Sequence, residues 1–97
     1  MNNMGIIYSK LHDYDNAIVN YDKAIKLFPN FTLALINEAI VLEKTGNYNA
    51  AVEYYTDALD IQSDFTIVYK LRSDTYRRMG NLKSADKDLT IFNSLMK

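Results

Sequence analysis

Ninety-seven residues make one compact domain, and 48% hydrophobic with 24% charged residues is the balance of a folded soluble chain, not a disordered one. No apolar run approaches the roughly 20 residues that a membrane-spanning helix needs, no basic start leads into an apolar stretch, and the lack of cysteine excludes disulfides, thiolate catalysis and the commonest structural zinc sites. The net charge of −1 hides an asymmetry, four lysines against nine acids in residues 1–65 and seven basic residues against three acids in 66–97, which is not the coherent basic face of a nucleic-acid binder.

Apolar residues recur at three and four positions throughout, which predicts six helices near 2–11, 15–28, 32–45, 49–62, 66–79 and 83–96. His12 ends the first, at a place where a left-handed residue lets the last carbonyls find partners; Gly46 and Gly80 do the same for the third and fifth. Asp13, Asn47 and Asn81 follow directly and are expected to cap the second, fourth and sixth helices. Asn30 and Asp64, each ahead of Phe-Thr, are expected to cap the third and fifth. Asn30-Phe31-Thr32 is formally a glycosylation sequon, read here as a helix-start turn. The whole chain, 1–97, reads as one domain without linkers.

The helices come in pairs that repeat every 34 residues. Met1–Phe31 laid over Leu35–Phe65 matches at Asn3/Asn37, Ile6/Ile40, Lys10/Lys44, Tyr14/Tyr48, Ala17/Ala51, Tyr21/Tyr55, Ala24/Ala58 and Phe31/Phe65. A further shift matches Gly46/Gly80, Asn47/Asn81 and Ala51/Ala85 among others. Such a period with helical spacing inside it is the mark of a solenoid, with units at about 1–31, 32–65 and 66–97. Ala17, Ala51 and Ala85 stand near the start of each second helix, facing Tyr8, Leu42 and Tyr76, and a larger side chain would force the pair apart. Tyr14/Tyr48 and Tyr21/Tyr55 are expected to fill the wedge between units.

Met1-x2-Met4-Gly5-x2-Tyr8, Ala17-x3-Tyr21, Ala24 and Pro29 in the first unit resemble the tetratricopeptide repeat. Leu35-x2-Glu38-Ala39-x2-Leu42 with Ala51-x3-Tyr55 and Ala58, and Tyr69-x2-Arg72-Ser73-x2-Tyr76 with Ala85-x3-Leu89, carry the pattern onward in phase. The resemblance implies an all-α, right-handed superhelical solenoid of three antiparallel helix pairs. Glu38 and Arg72 depart from the pattern, where an apolar residue is usual. One repeat apart on stacked helices whose axes lie within about 10 Å, they are expected to meet in a direct or water-bridged salt bridge.

Nothing in the chain has the spacing of a catalytic or metal-binding constellation. The sole histidine, His12, sits at a turn; the three glycines are isolated; Asp57/Asp60 and Asp86/Asp88 read as solvated helix faces. No cofactor is expected. The resemblance instead directs attention to the first helices of the three units, which in tetratricopeptide proteins line a concave groove for a peptide or partner helix. On that face lie Ile6, then Leu33, Ile36, Asn37, Ile40 and Glu43, then Ile67, Lys70, Leu71, Asp74, Arg77 and Arg78. Ile36, Ile40 and Leu71 read as apolar groove anchors, Leu33 and Ile67 equally as groove or core, and Lys70 and Arg77 as readers of acidic groups. Relatives that clamp the acidic tails of heat-shock chaperones use basic residues and asparagines where this chain has Asn2, Ile6, Asn37, Ile67 and Leu71; only Asn37 fits, so that role is disfavoured.

The leading expectation is therefore a cytoplasmic, non-enzymatic module for a protein or peptide partner, with neither nucleic acid nor membrane as target. The alternative is a segment of a longer repeat array or a self-associating unit. Ile91, Phe92 and Leu95 on the sixth helix lack a following capping helix, and would pair in a homodimer or in end-to-end stacking. An accessory domain of an enzyme is not separable from the first reading.

Overall fold

A computed structural model describes residues 1–96. Six helices follow one another: α1 (Asn2–Lys10), α2 (Tyr14–Leu27), α3 (Thr32–Lys44), α4 (Tyr48–Ile61), α5 (Thr66–Arg78) and α6 (Leu82–Leu95). No strand occurs among the described residues, and each boundary falls within one residue of its sequence-based expectation. Packing is closest within α1–α2, α3–α4 and α5–α6, next between α2 and α3 and between α4 and α5, and slight between α1 and α3. The molecule is an all-α helical repeat solenoid, 34 × 25 × 19 Å.

The turns inside the pairs share one hydrogen-bond pattern. His12, Gly46 and Gly80 have φ of 61°, 86° and 80°. The following amide reaches back in each case, Asp13 to the Tyr8 carbonyl at 2.8 Å, Asn47 to Leu42 at 2.8 Å and Asn81 to Tyr76 at 2.9 Å. These are Schellman closures, which need one left-handed residue; glycine takes it freely, and His12 takes it against the crowding of its Cβ.

The helix starts divide into two kinds. Asp13 accepts from the Asn16 amide at 3.4 Å and Asn81 from the Ser84 amide at 3.3 Å, as expected of caps. Asn47 holds the cap position of α4, but its side chain makes no capping bond; its Nδ2 donates to the Thr45 hydroxyl at 3.0 Å. Asn30 and Asp64 do not cap either, because Phe31 and Phe65 occupy the cap positions. They lie one residue too early, and it is their carbonyls that are used, accepting from Thr32 and Thr66 hydroxyls.

The repeated small and aromatic positions set the core. Ala17, Ala51 and Ala85 are completely buried, as are Tyr55 and nearly so Tyr21. Tyr8 packs on the cluster that holds Ala17, and Leu42 on the one that holds Ala51. Gly5 meets the Tyr21 ring so closely that a Cβ at Gly5 would lie 2.5 Å from Cε1 of that ring. Burial of these apolar faces at roughly 25 cal/mol per Å² is what holds short helices that would be marginal alone.

Arg72 and Glu38 do not pair. Arg72 instead donates to Asp88 through Nε at 2.7 Å and Nη2 at 2.8 Å, and to the Thr56 hydroxyl through Nη1 at 3.1 Å. The Tyr69 and Tyr76 rings flank the guanidinium, each centroid 5.9 Å from Cζ. The reason is geometric. This position of a first helix points into the wedge between two second helices, so its neighbours lie 16 residues behind and 16 ahead, not one repeat away. Counting the same way from Glu38 gives Asp22 and Tyr54, and those groups do flank it. Asp88, read from sequence as solvated, is accordingly buried.

A candidate partner-binding groove

The C-terminal halves of α3 and α5, with the starts of α2 and α4, shape two adjoining hollows. Tyr14, Ile40, Glu43, Lys44, Tyr48, Tyr55, Leu71 and Arg78 line one of about 480 Å³. Glu43, Leu71, Asp74, Arg77 and Arg78 line the other, of about 350 Å³. They share Glu43, Leu71 and Arg78, so they form one continuous depression across the second and third repeats.

Helical periodicity puts these residues together. Ile40 and Glu43 are three apart on α3, and Leu71, Asp74 and Arg78 recur at three and four on α5. Ile40 and Leu71 are half-buried, each with one side on the core cluster around Ala51 and Tyr55 and another toward the hollow. Glu43 ties the two helices. Its Oε1 accepts from the Thr75 hydroxyl at 2.6 Å and its Oε2 lies 3.1 Å from Arg78 Nε. Thr75 is fully buried, and its hydroxyl oxygen also lies 3.0 Å from the Leu71 carbonyl, so its single proton is directed between that carbonyl and Glu43. With Glu43 engaged, Arg77 and Asp74 stay exposed at the rim; Arg77 has only a loose contact with Asp86 at 3.9 Å. Burial beside Glu43 pushes the Tyr55 hydroxyl well above its ordinary value, so it stays a neutral phenol.

Of the residues expected to form the site, Ile40, Leu71, Asp74 and Arg77 come together here. Leu33 and Ile67 are 51% and 45% exposed at the starts of α3 and α5, which decides the open choice against core burial. Lys70 is exposed on α5, and Ile6 is half-buried against Ala17, Tyr21 and Val41. Asn37 is half-buried and donates to the Asn2 side chain at 3.2 Å, linking α1 to α3. Ile36 is a correction. It is 5% exposed and belongs to the core with Leu35, Ala39 and Leu59, so it offers no surface to a ligand. Buried side chains of α4 and α5 share its cluster and close over a residue that helical phase alone had placed in the groove. On α6, Ile91 and Phe92 are half-buried and Leu95 is exposed.

Tyr14, Tyr48 and Lys44 enter the hollow without having been expected there. Their recurrence at the period was visible, but recurrence serves packing and lining alike. Thr75 had a signal of its own, a hydroxyl where the equivalent positions carry Ile7 and Val41.

Among the described residues no group of histidine, cysteine and acidic side chains is placed to hold a metal, and no helix is long and apolar enough to cross a membrane. His12 is exposed, its Nδ1 3.3 Å from the Tyr14 hydroxyl.

Two tetratricopeptide repeat family models match, over residues 1–31 and 33–65. The chain belongs to the tetratricopeptide repeat family, whose domains are protein-interaction modules. No curated protein sequence matches it. Among solved structures, MamA superimposes with a TM-score of 0.95 at 20% identity, over 98% of this chain and 56% of that one. The first tetratricopeptide domain of Spaghetti (RPAP3), bound to the HSP90 peptide SRMEEVD, gives 0.93 at 23% identity, over 97% of this chain and 75% of that one. Its second such domain, bound to the same peptide, gives 0.91 at 22%, over 97% and 87%. At these identities the likeness is one of fold. The chain spans about half the length of the MamA structures it matches.

Proposed function

We propose that the depression across α3 and α5 binds an extended or amphipathic peptide segment of a partner protein, anchored by apolar side chains over Ile40 and Leu71. The observation that carries this reading is the joining of those two apolar residues to a charged rim in one concavity. Leu33 and Ile67 extend the apolar track toward the helix starts, and Ile6 continues it onto the first repeat. Asn37 holds the ligand backbone after exchanging its contact with Asn2, and Arg77 and Lys70 read acidic groups near one end. Of the positions that a carboxylate clamp fills with basic residues and asparagines, this chain matches only at Asn37, so the acidic HSP90 tail is a poor fit.

Two titrations test this. A panel of peptides with paired leucine or isoleucine anchors and one acidic end should perturb the amide resonances of α3 and α5, and Ile40→Asp with Leu71→Asp should abolish the effect. The peptide SRMEEVD should give no saturable shift. Saturable binding of SRMEEVD, or perturbations confined to α2, α4 and α6, would overturn the apolar-anchored reading.

A second reading has its own support: Met4 and Ile7 on α1 and Leu11 just past it are exposed, as are Leu82, Leu95 and Met96 at the other end. In that reading the chain is a segment of a longer array or a self-associating unit, with Ile91, Phe92 and Leu95 at the contact. Sedimentation across concentration separates the two, a constant monomer mass speaking for the peptide-binding module alone.

A further inference from the structure

The wedges between repeats are built on one plan with opposite contents. In the second wedge, Arg72 of α5 stands between Thr56 of α4 and Asp88 of α6, with charge matched and hydrogen bonds made. In the first, the equivalent positions hold Glu38 of α3, Asp22 of α2 and Tyr54 of α4. Two acids thus meet where the next wedge has a cation and an acid. Glu38 is 2% exposed, and its Oε1 has no hydrogen-bond partner. The ionisable groups that act on it are Asp22 from α2 and Tyr54 from α4, none of them basic; Asp57 of α4 acts in turn on Tyr54. At the equivalent place α1 carries Met4, which cannot titrate.

A carboxylate cannot be held in such a place without a compensating charge. Burial first, and then the Asp22 carboxyl beside it, push the Glu38 carboxyl from 4.5 up to about 8, partly opposed by the Tyr54 hydroxyl. At neutral pH the wedge therefore contains a proton, and Glu38 is a neutral acid. The sign of the linkage follows. Between 4.5 and about 8 the folded chain holds a proton that the unfolded chain has lost, so stability is full below this window and falls as pH rises through it.

We propose that Glu38, Asp22 and Tyr54 form a proton-dependent latch between the first and second repeats, closed while Glu38 carries a proton and loosened when the proton leaves. Once its proton leaves, the Glu38 carboxylate faces the Asp22 side chain across the α2–α3 contact. The repulsion acts on the joint where α1–α2 rests on α3–α4, and the Asn2–Asn37 hydrogen bond spans that joint on another side. The second wedge, neutralised internally by Arg72 and Asp88, has no such response. The latch is independent of the ligand that the groove takes.

The decisive experiment is a carbon-13 titration of side-chain carboxyls in the intact chain, with amide hydrogen exchange at pH 6 and pH 9 corrected for the intrinsic rate. The Glu38 carboxyl carbon should titrate near 8, and protection in α1 and α2 should fall at least about tenfold more than in α5 and α6. Asp22→Asn should move the Glu38 midpoint downward, and Glu38→Gln should remove the extra loss of protection in α1 and α2. A Glu38 midpoint near 4.5, or equal loss of protection in all three repeats, would refute the latch. Because the midpoint is read in the unaltered chain, the test stands even if Glu38→Gln fails to fold.

Discussion

Arg72 and Asp88 lie 2.7 Å apart, Nε to Oδ2, and seal α5 to α6 with a two-pronged ion pair whose acid is almost wholly withdrawn from solvent. A pair of this kind is a poor substitute for apolar packing but a costly one to break, since the surviving charge is left with little access to water. The hydrogen bonds that Arg72 donates to the Asp88 carboxylate raise its guanidinium above its ordinary value, so it stays charged at any working pH.

Asp88→Ala should therefore destabilise the fold by about 3–5 kcal/mol in urea denaturation. Arg72→Met combined with Asp88→Leu should cost less than either single change, because no lone buried charge remains. Equal or additive losses in the double variant would show the pair to be exposed to solvent in solution.

Gly5 and Tyr21 make a comparable test of packing. Gly5→Ala would gain roughly 1 kcal/mol of helix propensity at an exposed site, yet here its Cβ would press into the Tyr21 ring. A net loss of about 1–3 kcal/mol is expected, and Gly5→Ala together with Tyr21→Leu should recover part of it. Thermal melts followed by circular dichroism check both.

Ala51 and Ala50 sit side by side in sequence but differ in burial, Ala51 completely buried and Ala50 half-buried. Ala51→Leu should lower the melting temperature clearly, by roughly 4–8 °C for each kcal/mol lost in a domain of this size. Ala50→Leu should leave it nearly unchanged. Equal melting temperatures would contradict the packing of α3 against α4.

His12 holds a left-handed conformation at φ 61° that disfavours any residue with a Cβ. His12→Gly should raise stability by about 1 kcal/mol, since the Schellman closure of α1 is retained and the strain removed. Gly46→Ala should do the reverse by a similar amount, although nothing stands within 4 Å of its added Cβ. The opposite signs in one denaturation series are the check.

Thr75 and Glu43 tie α5 to α3 beneath the groove at 2.6 Å. Thr75→Val keeps the volume and removes the donor, leaving a half-buried carboxylate oxygen without its partner; a loss of about 1–3 kcal/mol is expected. The same variant should broaden the resonances of Ile40 and Leu71 in nuclear magnetic resonance spectra, as the floor they share loosens.

The period of 34 residues, with its recurring alanines and tyrosines, determined the family, the number of helices and their limits to within a residue. Those features are local or nearly so. The first helix of each pair ends where a left-handed residue stands, and an alanine recurs where two helices touch. Ile40, Leu71, Asp74 and Arg77 could likewise be assigned to one face, since helical phase orders residues around a single axis. What phase does not give is the neighbour on the far side of that residue. Ile36 went to the core because α4 and α5 close over it, and Arg72 found Asp88 because its wedge opens onto α6 and not onto α3. Glu38 became a buried acid beside another acid for the same reason. Side-chain partners at these places depend on how far each helix pair is rotated against the next, and that angle is fixed only when the whole stack packs.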